Sequence, residues 1–431
     1  MMSSSTETPL RAVPPRRSPG GHAAATASRH RRVVIPSSLL LLLVLLLAPS
    51  RAWAYPWMIA RGHLGCVQCH MDPSGSGLLT SYGREQGDEE LPMHWGRGDA
   101  DTSEIQSGPV WGRVTPPDWL LVGAGLRAAF LGTEVSGAPA MPGAPANGLA
   151  ASVILMQADL RAGIRLGGLR ASASLGVVTD KSYADVVGNV VSREHWVGYS
   201  FDHDTWVVRA GRITVPFGIR SIEHTLWVRQ QTRTDINDTQ QHGIALAYTS
   251  RFVRAEAMGL LGNYQISPDA FRERGYSATL EVLPIPAVGL GVSSLITHAD
   301  EDISLLAANT RQAHGLFVRA SPVTPLVLFG EGDLVLNSPE AGPATTGFAS
   351  MIQGDLQPVQ GIHLILTGET WTEGAASNPG KQRFYGGWAA IDWFCLRQFD
   401  LRTDFMWRQM NYGSADRIGA TAFLVQAHLY L

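Results

Sequence analysis

Over residues 153–166 this chain alternates for longer than a soluble strand usually lasts. Ile154, Met156, Ala158, Leu160, Ala162, Ile164 and Leu166 hold the even positions; Gln157, Asp159, Arg161 and Arg165 hold odd ones, with Leu155 the exception. Period two is the signature of a strand with two unlike faces. Soluble strands average about 5–6 residues, whereas a strand needs about 9–11 to cross a bilayer. The alternation returns over 169–177, where Arg170, Ser172 and Ser174 oppose Leu169, Ala171, Ala173, Leu175 and Val177. It returns again near the end, where Phe399, Leu401, Phe405 and Trp407 alternate with Asp400, Arg402, Asp404 and Arg408. A long charged face needs water along its whole length, and the opposite face needs an apolar surround. A membrane barrel with a wet lumen supplies both.

Segments of this kind begin near residues 119, 150, 168, 193, 205, 243, 251, 275, 287, 312, 323, 345, 360, 382, 397 and 417. The expected fold is therefore all-β, a transmembrane antiparallel β-barrel of about 16 strands over residues 119–431. Sixteen strands are wide enough to leave an aqueous channel. Short links (Gly167-Gly168, Asp202-His203-Asp204, Pro284-Ile285-Pro286) and longer ones (132–149, 298–311) fit short periplasmic turns and long external loops. Trp119, Trp196, Trp206, Trp371 and Trp393 lie near strand ends and are expected in interfacial girdles. The chain ends with Phe423, Val425, Ala427, Leu429 and Leu431 in alternation, which resembles the C-terminal signal of outer-membrane proteins but closes on Leu rather than Phe. Charged residues make up 16% of the chain, low against about 25% for a soluble domain.

Ahead of the strands lies Cys66-Val67-Gln68-Cys69-His70. C-x-x-C-H is the attachment sequence of a c-type haem: two thiols add across the vinyl groups, and the adjacent histidine reaches the iron. One covalent haem c is expected, on Cys66 and Cys69, with His70 as the proximal iron ligand. A leucine-rich run at 39–47 follows Arg29, Arg31 and Arg32 and ends at Ala52-Trp53-Ala54, so residues 1–54 read as a signal peptide. Export and haem attachment support each other. A zinc site needs a fourth ligand, which His63 supplies on paper; a thioredoxin-like C-x-x-C needs a βαβ context that is absent here.

The flanks Ala60-Arg61-Gly62-His63-Leu64-Gly65 and Leu78-Leu79-Thr80-Ser81-Tyr82-Gly83-Arg84, with Asp72-Pro73, Gly75 and Gly77 between, resemble a group of exported bacterial single-haem proteins. Many of these continue into an outer-membrane barrel. The resemblance covers about residues 58–84. It implies a haem segment, residues 55–118, working in electron transfer at the outer membrane with a redox partner, expected to be another cytochrome. Sixty residues rich in Gly and Pro bury little on their own, so this segment is expected to lean on the barrel mouth or lumen. The acidic run 85–90 reads as a solvated turn. Candidates for the second iron ligand are His63, Met93, His94 and Met58; an open iron is the alternative, and would be the one route to peroxidase-like activity. No Ser-His-Asp or paired-carboxylate set is seen, so an electron carrier rather than an enzyme is expected.

The longest gap between strands, 214–242, follows Gly211-Arg212 and contains Val215-Pro216-Phe217-Gly218-Ile219-Arg220. This G-x-x-x-x-P-F-G run resembles phosphate-selective-type porins. It implies either a constriction folded inward or an external loop, carrying Arg220, Arg229, Arg233, Asp235 and Asp238, and it suggests small anions as pore solutes. The alternative function is thus a porin-like channel with the haem segment as plug or redox sensor. Seven Arg and one Glu lie in residues 1–54, which leaves the remainder acidic. No nucleic-acid partner is expected, outer-membrane lipid is, and Cys395 is expected to face it beside Ile391 and Trp393.

Overall fold

The computed structural model describes residues 57–61, 65–95, 108–137, 148–177, 190–223, 225–236, 239–263, 272–375, 381–412 and 417–431. The expected signal peptide, 1–54, lies outside these residues.

The strands are β1 (Leu120–Ser136), β2 (Gly148–Leu166), β3 (Leu169–Val177) and β4, which runs as Val190–Val191 and then His195–Phe201, both pairing with β3. They continue with β5 (Trp206–Ile213), β6 (Gln241–Thr249), β7 (Val253–Gly262), β8 (Arg274–Ile285), β9 (Val288–Ala299) and β10 (Asn309–Val323). The last are β11 (Leu326–Pro339), β12 (Thr345–Val359), β13 (Ile362–Ala375), β14 (Gln382–Leu396), β15 (Phe399–Asn411) and β16 (Arg417–Tyr430). Among the described residues there are thus sixteen strands, each antiparallel to its neighbours in sequence, and β1 also pairs with β16. The sheet closes on itself and leaves no edge. Ala124 and Leu431 exchange both backbone hydrogen bonds at the seam, 2.9 and 2.8 Å.

The two faces follow the sequence pattern. Leu160 is 66% exposed on the outer wall, while Gln157 and Asp159 are buried inside. Leu155 breaks the alternation because the register between β1 and β2 skips Met156: Arg127 pairs with Gln157 and Ala128 with Leu155. This β-bulge inverts the parity beyond it, and Val153 duly faces outward. On β15, Phe405 and Trp407 are exposed and Asp400, Arg402 and Asp404 are buried. This outer belt is apolar enough for lipid, and the chain reads as membrane-spanning.

Seven of the connections are short, from Gly167-Gly168 to Arg397-Gln398, and all lie at the mouth that also holds residue 431. The longer connections lie at the other mouth. Two expectations about the wall need correction. β8 runs through Pro284 and Ile285, so its turn is Pro286-Ala287. Trp196 and Trp371 are buried on the inner wall, because their parity in the strand points them inward; Trp119, Trp206 and Trp393 fit the girdle. Trp206 lies against Phe201 and Tyr248, at 6.3 and 4.6 Å between ring centroids.

Candidate functional site: the cavity around Cys66, Cys69 and His70

Residues 57–61 and 65–95 lie in the short-turn mouth of the barrel and are tied to its wall at many points. Cys66–Gln68 form one 3-10 turn, whose Val67 packs on Val207 and Ala247 of the inner wall. The peptide then reverses through Asp72 and Pro73: the Asp72 carboxylate accepts the Ser74 N–H at 2.7 Å, a turn type this residue favours. His70 and Leu79 form an isolated antiparallel bridge. Leu78 and Met71 are buried with Leu121, Trp196 and Ile213.

The flanking motif has local structural work. Thr80 caps helix α1 (Ser81–Glu90), accepting the Gly83 N–H at 3.0 Å and donating to the Gln68 carbonyl at 2.8 Å. Gly83 stands so close to the Cys69 carbonyl that a Cβ there would collide with it. Gly75, at φ +86°, lies against the Cys66 sulfur; its Cβ would come within 2.8 Å of it. The run 85–90, expected as a solvated turn, is instead the second half of α1. Its Asp88 is buried because Gln398, in the last short turn, donates to it at 3.3 Å. Burial raises the Asp88 carboxyl, and the hydrogen bond from Gln398 pulls it part of the way back.

Fastening to the wall is both ionic and through backbone groups. Arg209, fully buried on β5, pairs with Asp72 and also with Glu256, and its guanidinium lies over Trp196 at 5.7 Å. Arg84 donates to the Val122 carbonyl at 2.6 Å and Arg170 to the Met71 carbonyl at 3.4 Å. The Met93 N–H donates to the Phe394 carbonyl at 2.9 Å, and the Trp95 indole to the Cys395 carbonyl at 2.7 Å. Cys395 does share the outward face with Ile391 and Trp393, but it is only 7% exposed at a rim where Trp95 also packs on Trp393; it is not presented to lipid.

Cys66, Cys69 and His70 line one cavity of about 320 Å³ between this segment and the barrel wall, inside the range of small-molecule and cofactor sites. Both thiols are free. Burial pushes the Cys69 thiol up to about 12, with Cys66 and Glu90 adding to the effect. Burial lowers His70 to about 4; Asp72 opposes this and Arg161 reinforces it. The imidazole is therefore neutral, as a metal ligand must be, and its buried Nδ1 has no hydrogen-bond partner. Arg127, Arg161, Arg193 and Arg254 stand in the cavity wall, with Arg254 3.9 Å from the Cys66 sulfur. From sequence Arg161 stands out only as part of an alternating polar face, and Arg127, Arg193 and Arg254 not at all. Lumen-facing arginines recur on many strands, and only the fold selects the ones beside the motif.

The distal candidates separate. Met58 lines the cavity, packed with Leu91 and Phe394. Met93 sits instead against Gly361, and the His94 ring lies 3.1 Å from both the Glu89 carbonyl and Gln360, away from the cavity. His63 lies outside the described residues.

The described residues of the loop, 214–223, 225–236 and 239–240, fold into the lumen rather than outward. Its helix α2 (Trp227–Thr232) packs on β11, β12 and β13 across the barrel. Gly218, at φ +58°, lies where a Cβ would strike Glu331 and Arg229, and its N–H donates to Ser293 at 2.8 Å. Each of the three loop arginines meets a carboxylate: Arg220 with Glu256 at 3.3 Å, Arg229 with Glu331, and Arg233 with Glu273 and Asp302 at 2.8 and 2.9 Å. Asp235 is buried, and Asp238 lies outside the described residues.

A closed sixteen-stranded antiparallel barrel with an inward loop and an apolar outer belt defines the porin fold of outer-membrane proteins. Solved structures agree. The outer membrane channel DcaP of Acinetobacter baumannii superposes with a TM-score of 0.54 at 10% identity, covering 74% of this chain and 99% of that one. The anion-selective porin from Comamonas acidovorans gives 0.52 at 14% identity, covering 72% and 99%. OmpT of Vibrio cholerae, expressed in the outer membrane, gives 0.53 at 10% identity, covering 74% and 100%. No family model and no curated protein matches this chain.

Proposed function

We propose that this chain is an outer-membrane barrel of porin fold that carries one covalent c-type haem in its short-turn mouth and transfers single electrons to a partner cytochrome at the periplasmic face. The observation that carries this reading is that both thiols and the imidazole of the C-x-x-C-H sequence line a single cavity walled by the barrel. The donor set fits the group: two free thiols with two residues between them and a neutral histidine next in the chain. Bound there, haem supplies a one-electron iron couple. Cys66 and Cys69 would attach it and His70 would bind the iron. The buried Leu78, Met71 and Val67 exclude water, while the wall arginines Arg161, Arg193 and Arg254 are paired with Asp159 and Glu281. Short turns mark the periplasmic side in barrels of this class, and a cavity at that mouth supports contact with an exported electron carrier.

The test is a reduced-minus-oxidised visible spectrum of protein extracted from outer membranes, denatured and stripped with acidic solvent. A c-type α-band that survives, and is lost in Cys69→Ala while the barrel still assembles, is the expected result. No band in the wild-type chain would falsify the haem reading.

A second reading, a porin-like channel with residues 57–95 as its plug, is favoured by the inward loop and by the solved channels that share the fold. The pairing of Arg220, Arg229 and Arg233 with carboxylates makes the loop a weak source of anion preference. Planar-bilayer conductance of the full chain separates the two readings. A large steady conductance favours the channel, and a barrel that stays closed with reversible haem reduction favours the electron carrier.

A further inference from the structure

We infer that His428, on the last strand of the barrel wall, supplies the second nitrogen ligand to a haem attached at Cys66 and Cys69, an inference that rests on the haem reading above. Among the described residues, His70 and His428 are the two histidines that line the cavity. His428 is also held as ligating histidines are. It sits directly across the strand pair from Asp400, and its Nδ1 lies 3.0 Å from that carboxylate. An ionised carboxylate can only accept, so Nδ1 carries the proton and the lone pair is on Nε2. A carboxylate behind a histidine fixes its tautomer and ring plane, the usual support for a metal-binding imidazole.

A second His–Asp pair shows what the arrangement looks like without such a role. His363 is held by Asp355 at 2.8 Å, but its ring is covered by Trp57 at 4.2 Å between centroids and does not line the cavity. Beside His428, Arg127 stands directly across the seam on β1 and the Tyr430 ring lies 5.2 Å from its own, and all three residues line the same cavity. Of the candidates from the haem segment, Met58 alone among the described residues shares this cavity, and its thioether is the competing donor. His428 escapes a reading of the motif because it lies some 360 residues from it. Closure of β16 onto β1 and β15 brings it to the site.

The experiment uses the full-length protein purified from outer membranes in detergent, read by ferric electron paramagnetic resonance and visible spectra. The wild type is expected to be low-spin with two nitrogen ligands. His428→Ala should keep covalent haem on denaturation but turn high-spin, and added imidazole should restore the low-spin state, which a merely structural role would not give. Met58→Leu should leave the spectrum unchanged. Covalent haem that stays low-spin in His428→Ala, or a wild type that is high-spin, overturns the assignment while the haem reading stands. A switch to high spin in Met58→Leu assigns the methionine instead and overturns it too. Absence of covalent haem in the wild type is the separate failure of the underlying reading. If the alanine variant does not assemble, His428→Met decides: a sulfur-ligated spectrum with a raised midpoint potential supports the ligand role, and an unchanged two-nitrogen spectrum overturns it.

Discussion

The described residues of the N-terminal segment 57–95 and of the loop 214–240 both lie inside the barrel, yet they are anchored by different means. The N-terminal segment is fastened at the rim by backbone carbonyls and indoles (Met93 to Phe394, Trp95 to Cys395, Arg84 to Val122), and deeper in by one ionic contact, Asp72 with Arg209. The loop is fastened mid-lumen, where carboxylates of the far wall accept its N–H groups: Glu331 from Ile219 at 3.0 Å and Glu369 from Trp227 at 2.8 Å. Its apolar side joins a cluster of Leu226, Trp227 and Val228 with Phe384 and Trp388, and Ile59 of the N-terminal segment belongs to the same cluster. The difference teaches that the loop is part of the wall's own packing, whereas the N-terminal segment is an added piece seated in a barrel that closes without it.

Deleting residues 55–118 is the strongest way to break this comparison. The barrel should still assemble, as judged by heat-modifiable migration, and single-channel conductance should rise several-fold. A conductance as low as that of the full chain would mean that the loop alone closes the lumen. Next in size is Arg209→Ala, which leaves Asp72 buried without its cation. Breaking a buried pair from one side costs about 3–5 kcal/mol, so residues 65–95 should become protease-sensitive while the strands stay protected. Equal sensitivity in the loop would show that the two segments unfold as one.

A smaller effect is expected of Ser293→Ala, which removes the acceptor for the Gly218 N–H. A loss of about 1 kcal/mol should appear as noisier conductance in the deleted barrel, with haem content unchanged. The smallest is a pH effect at Glu90, the last residue of α1. Burial raises its carboxyl to about 7, with Arg61 pulling down and Glu89 pushing up. The folded state then holds a proton that the unfolded chain gives up near its ordinary value of 4.5. Docking of α1 should therefore weaken as pH rises from about 4.5 to about 7. Glu90→Gln should remove that dependence, and a slope of the same size in the variant would place its origin elsewhere.

Much of the wall was readable from residue order. Every expected strand start falls within three residues of an observed one, because a one-residue slip would carry every inward charge to the lipid. Even the exception at Leu155 marked a real bulge. The three residues of the motif line one cavity, and the glycines and Thr80 of the flank shape the backbone around them. What escapes residue order is the face of two tryptophans and the cover over one cysteine. Trp196 and Trp371 looked like girdle residues by proximity to strand ends, and Cys395 looked exposed by parity, until Trp95 was seen over the rim.

By itself, then, the sequence determined which face of each strand meets water, how many strands there are, and which three residues carry the motif. All of these are local: they follow from period two and from spacing within a few residues. Only the tertiary structure decided that the loop folds inward, that Asp72 meets Arg209, and that His428 looks into the same cavity as His70. The physical reason is closure. Pairing β16 with β1 brings residues hundreds of positions apart onto one inner surface, and no local pattern records which of them will be neighbours.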